Sequence, residues 1–93
     1  MSRIAPSIKN LDCFTGGGQT GELMQTFDWS TTPLGPADRW ATSLRTAVSI
    51  CLSSRFPIVL YWGADYTVLY NDAYSQILAK KHPWALGRPA REV

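Results

Sequence analysis

The run FPIVLYWGADYTVLYN, residues 56–71, constrains the fold more than any other part of the chain. Phe56–Trp62 and Thr67–Asn71 are rich in β-branched and aromatic residues, which favour strands. The four residues between them, GADY, are turn-like, so the strands are expected to pair as an antiparallel hairpin. Alternation places Ile58, Leu60 and Trp62 on one face and Val59 and Tyr61 on the other. Both faces are apolar. A two-stranded hairpin cannot cover itself on two sides, so other elements must pack on each. The implied class is α+β: N-terminal helices, then a hairpin, then a further helix.

The covering helices are legible on either side. Pro36 suits the first position of a helix, where its missing N–H is no loss. From there to Leu52 the pattern is helical. Trp40, Leu44, Val48 and Cys51 recur at spacings of four, four and three, which puts them on one stripe. That stripe is expected to cover Ile58, Leu60 and Trp62, in its own chain or across a dimer. After the hairpin, Asn71 or Asp72 is placed to cap a helix AYSQILAKK, with Tyr74, Ile77 and Leu78 on one side. His82-Pro83 ends it. Upstream, Thr20 is expected to cap a short helix, GELMQTF. The chain thus divides into a flexible tail and linker (1–19), leader helices (20–55) and a second part (56–93).

The glycines of GGGQTG, residues 16–21, have the G-x-G-x-x-G spacing of a dinucleotide-binding turn. Such a turn must follow a strand and open a helix inside a βαβ unit. KNLDCFT precedes it, and Asn10 and Asp12 interrupt any strand there. The phosphate-loop pattern fails too, because Glu22 and Leu23 stand where Lys and Ser or Thr are required. A linker is the expected role.

No other group of residues forms an active site. His82 is the only histidine, so neither a catalytic pair nor, with Cys13 and Cys51, a four-ligand zinc site can be assembled. Asp65 and Asp72 are explained as a turn residue and a helix cap. The net charge of +2 excludes a strongly basic nucleic-acid binder. Lys80, Lys81, Arg88 and Arg91, beside Glu92, read as a solvated helix end. No stretch approaches the ~20 apolar residues of a membrane span. No signal peptide is present, and the reading is a cytoplasmic protein with reduced thiols.

From Ile58 onward the order of elements resembles the opening of a PAS domain. Two strands joined by a short turn end in Asn71, followed by Asp72-Ala73 and a helix. Gly87, Arg88, Pro89 and Glu92 match the Gly-Arg/Lys-Pro and acidic positions that follow. The block DWSTTPLGPADRWATSLRTAVSICLSSRFP resembles the leader preceding PAS domains in a group of bacterial sensor histidine kinases. TPLGP, W-x-x-SLRTAV and YNDAY are its most specific phrases, and the likeness covers residues 18–93.

The resemblance implies a sensory and dimerisation module, an incomplete PAS domain whose remaining strands lie downstream. It implies signal transduction through a two-component phosphorelay, as the input region of a histidine kinase. The partners implied are an output domain in the same polypeptide, a second copy in a homodimer and a small-molecule signal, with no nucleic acid. Any phosphotransfer would then lie outside these residues. A free-standing interaction module, or the input region of a diguanylate cyclase or another output, are the alternatives. The layout implies that Val59, Tyr61, Val68 and Tyr70 face a ligand pocket, with Tyr74 and Leu78 from the next helix. Core packing is the other reading of these six. No cofactor can be assigned.

Overall fold

The computed structural model describes residues 12–93, and the expected tail over residues 1–11 lies outside them. The chain is α+β. A single 3-10 turn at Asp12–Phe14 leads into helix α1, Gly18–Thr26, and after two further 3-10 turns comes helix α2, Thr42–Ser53. Strands β1 (Val59–Trp62) and β2 (Thr67–Tyr70) form an antiparallel hairpin, followed by helix α3, Asp72–Leu78.

The hairpin follows from its residues. Register pairs Val59 with Tyr70, Leu60 with Leu69, Tyr61 with Val68 and Trp62 with Thr67. The turn is closed by the Tyr66 N–H, which donates to the Gly63 carbonyl at 3.0 Å. Gly63 takes a left-handed φ of 80° there, at no steric cost. β1 begins three residues later than expected, at Val59 rather than Phe56. The Ser54 hydroxyl accepts from the Phe56 N–H at 3.0 Å, which holds that part of the run in a loop.

The stripe on α2 is buried as its spacing requires. Trp40 is 6% exposed, Leu44 2%, Val48 0% and Cys51 1%. It is buried within one chain, where α2 packs across both strands. Leu60 and Trp62 lie against the same core cluster as Leu44, Val48 and Leu52. The helix expected from Pro36, however, is interrupted. Ala37–Arg39 form a 3-10 turn, Trp40 and Ala41 are extended, and α2 starts at Thr42. Trp40 accounts for the break. Its indole N–H donates to the Gly35 carbonyl at 2.9 Å, and its ring meets Trp29 and Phe14 edge-on at 5.1 and 5.7 Å. Burying a large aromatic in a good contact outweighs the hydrogen bonds of one helical turn.

Residues 12–19 are not a linker. Cys13 and Phe14 are buried, and α1 opens at Gly18, two residues before the expected cap. Thr20 lies inside the helix and is fully buried. Gly21 explains the close fit, since a Cβ there would come within 2.7 Å of the Phe14 carbonyl oxygen. α3 also ends earlier than expected, at Leu78. Ala79 adopts a left-handed φ of 50°, and a 3-10 turn, Ala79–Lys81, carries the chain to His82.

Candidate functional site

The sequence YND, residues 70–72, sits where β2 passes into α3, and each of its side chains ties a different part of the fold to that point. Tyr70 lies on one face of the hairpin with Val59, Tyr61 and Val68, as alternation predicts. It is fully buried, and its hydroxyl lies 2.8 Å from His82 Nδ1. Its ring stands 6.0 Å from Tyr74 and 5.5 Å from His82. Burial pushes the Tyr70 phenol up to about 12. The Tyr74 phenol is also raised, by burial and by its hydrogen-bonded neighbour Tyr61. The three tyrosine hydroxyls that a pocket would have had to satisfy thus pair with His82 and with one another.

Asn71 is 1% exposed and fully used. Its Oδ1 accepts from the Ile58 and Tyr74 backbone N–H groups at 3.2 and 3.0 Å. Its Nδ2 donates to the carbonyls of Cys51 and Phe56 at 2.9 and 2.8 Å, and more weakly to Ser54 at 3.4 Å. One amide therefore caps α3, receives the end of α2 and fixes the entry to β1. An amide is suited to this because it offers two acceptor sites and two donors in one plane.

Asp72 does not cap its own helix; Asn71 does that. Both Asp72 carboxylate oxygens instead accept backbone N–H groups at the start of α1: Gln19 at 3.2 Å and Thr20 at 2.7 Å. The glycine-rich turn does hold an anion, and the anion is the protein's own carboxylate. A Cβ on Gly18, whose φ is +64°, would collide with it. Burial alone would raise the Asp72 carboxyl. The hydrogen bonds from Thr20 and Gln19, with the His82 imidazole nearby, hold it below the usual carboxylate range.

Of the six residues implied as pocket lining, Val68 and Tyr70 are buried, and Val59, Tyr74 and Leu78 are partly buried. Tyr61 is 52% exposed. They share one region of the molecule, packed on one another. Surface grooves of about 520, 410 and 360 Å³ are lined by other side chains. The 520 Å³ groove runs between Phe27, Trp84 and Pro89. Among the described residues no three His, Cys, Asp or Glu side chains gather as a metal site.

Three of the late basic residues are individually engaged. Arg88 stacks over Trp84 at 4.3 Å and donates to its carbonyl at 2.9 Å, with Glu92 3.5 Å away. Arg91 lies 3.5 Å from Asp65, and Lys81 donates to the Val93 carbonyl at 2.7 Å.

Comparison with protein families, curated proteins and solved structures finds no match to this chain. Its own geometry therefore carries the functional argument. No helix among the described residues is long and apolar enough to cross a membrane.

Two features of the site escaped sequence reasoning. His82 reads as an isolated loop histidine, and nothing local announces its contact with Tyr70, 12 residues away. The segment Gly87–Ala90 lies along β2: the Gly87 N–H donates to the Val68 carbonyl, the Val68 N–H to Arg88 and the Ala90 N–H to Tyr66, each at 2.9 Å. The left-handed Gly87, with φ +82°, was the one available signal. A Cβ there would meet the Phe27 ring at 2.7 Å.

Proposed function

We propose that this chain is the PAS-like input region of a bacterial signal-transduction protein, with a histidine kinase as the output in the same polypeptide. What supports the reading, beyond the resemblance of residues 18–93, is the state of the two hairpin edges. The backbone of Val68 bonds outward to residues 87 and 88. In an antiparallel ladder its partner Tyr61 must then point its own N–H and C=O the other way, off the far side of β1. Val59, opposite Tyr70, does the same. The outer edge of β1 therefore offers paired donors and acceptors to a further strand, the place a PAS sheet fills with its later strands. An unpaired apolar edge of this kind is a liability unless something covers it.

In this reading the Tyr70–Tyr74–His82 group forms the floor beneath the later strands, and a small signal molecule would contact Tyr61, the exposed member. A homodimer contact would use the outer face of α2, where Ile50 is 62% exposed, since the Trp40–Cys51 stripe is occupied inside the chain. The output reads the signal through the leader helices. The test is to read the coding sequence past Val93 and assay the encoded polypeptide for autophosphorylation with ATP. Three further strands and a helix bearing a phosphoacceptor histidine are expected. A stop codon after Val93, or an output of another class, would overturn it.

A second reading, a free-standing interaction module, draws on the same edge and on Phe56, 78% exposed beside it. There a partner's strand adds to β1. A sharp two-state urea transition of the 93-residue chain would favour this reading.

A further inference from the structure

Asp72 serves two helix ends with one charge. α1 has no side-chain cap of its own, because the residue before it is Gly17. The cap arrives from a carboxylate 52 residues away in sequence. The same carboxylate lies in the first turn of α3. Each helix start carries a partial positive charge from its aligned peptide dipoles and unpaired N–H groups. A single negative charge between them stabilises both and ties α1 to α3.

The groups facing that charge are few. From α1 they are the uncharged Gln19 and Thr20. From the segment after α3 it is His82, itself bonded to the Tyr70 hydroxyl from β2. Gln19 is exposed and its bond to Asp72 lies at the surface, so water can compete for the carboxylate.

The two ends of α1 are held differently. At the far end Met24 is 1% exposed, and its carbonyl accepts from the Trp29 indole at 2.9 Å. At the near end Gly16 and Gly18 are both left-handed, with open space around Gly16, while Thr20 is buried and Gly21 lies close against the Phe14 carbonyl. Glycine backbone swings there at little steric cost. Loss of the carboxylate would remove the side-chain acceptor of the Gln19 and Thr20 N–H groups and leave the first turn of α1 held by the packing of Thr20 and Gly21 alone.

We propose that Asp72 is a latch: ionised, it holds the first turn of α1 against α3, and neutralised, it lets that turn open while the hairpin and the Asn71 hub stay folded. The latch joins the leader to the segment that follows β2, whether or not the chain belongs to a sensor.

The test is amide hydrogen exchange and chemical shift by NMR on the whole chain, in the wild type from pH 7 to 3 and in Asp72→Asn at pH 7. In the variant, which keeps one acceptor oxygen but loses the charge and the second acceptor, protection at Gln19, Thr20 and Gly21 is expected to fall several-fold, with Leu69 and Tyr70 unchanged. In the wild type, the Gln19 and Thr20 amides are expected to titrate together before Leu69 and Tyr70 lose protection. Should the variant fail to fold, the wild-type titration decides alone. Absence of a shared titration at Gln19 and Thr20, or opening of α1 only together with the hairpin, would overturn the latch.

Discussion

β1 and β2 are equal in length, similar in composition and paired to each other, yet their burial differs. Every residue of β2 is buried, and none of β1 is. Leu69 and Tyr70 are inaccessible to solvent, whereas Tyr61 is half exposed. Both strands touch α2, so helix cover is not the cause. The difference lies in the second neighbour: β2 has residues 87–90 along its outer edge and β1 has none among the described residues. A strand's burial is set by what flanks it as much as by its own side chains.

The strongest way to break the comparison is to remove the cover that both strands share. Leu44→Asp places a charge at a site 2% exposed. It is expected to abolish cooperative unfolding, at a cost above about 4 kcal/mol, as followed by circular dichroism. Next comes Asn71→Ala, which would strand the Cys51 and Phe56 carbonyls and two backbone N–H groups. A loss of about 2–4 kcal/mol in urea denaturation is expected. The contrast itself is tested by matched truncations of the Leu60–Leu69 pair. Leu69→Ala should cost about 2–5 kcal/mol, as for a full core leucine, and Leu60→Ala clearly less. Equal losses would show that the β1 edge is covered in solution.

A smaller effect comes from pH. Asp72 has a lowered carboxyl, so its contribution is present above its unfolded value of about 3.9 and is lost as pH falls through the folded value. The wild type should lose about 0.5–2 kcal/mol there relative to Asp72→Asn, in thermal melts taken from pH 6 downward. The smallest change belongs to Tyr61→Thr, on the exposed strand. Stability should stay within about 0.5 kcal/mol, while sedimentation shows less self-association if the edge is sticky.

The helix stripe and the hairpin were legible because each rests on a short-range period. Trp40, Leu44, Val48 and Cys51 share a face by helical spacing, and Val59 with Tyr61, like Val68 with Tyr70, by strand alternation, wherever the rest of the chain goes. Local rules misled where a tertiary contact was worth more. Pro36 and the following residues suit a helix start, but burying Trp40 against Trp29 and Phe14 breaks the first turn. Thr20 suits a cap, but the carboxylate of Asp72 does that work from across the fold and lets the helix begin at Gly18. The G-x-G-x-x-G stretch reads as a linker, yet the Gln19 and Thr20 N–H groups within it receive an anion, and nothing nearby in sequence identifies Asp72 as the occupant.

By itself the sequence determined the antiparallel hairpin, the buried stripe of α2 and the apolar faces of the strands, because these depend on side-chain periods of two and 3.6 residues and on turn chemistry. Only the tertiary structure decided which polar groups meet: Asp72 with α1, His82 with Tyr70, Gly87 with the edge of β2. Those partners are separated by 12 to 53 residues or joined through the backbone. A hydrogen bond acts over about 3 Å and has no period along the chain, so its partner is specified only once the apolar faces have packed.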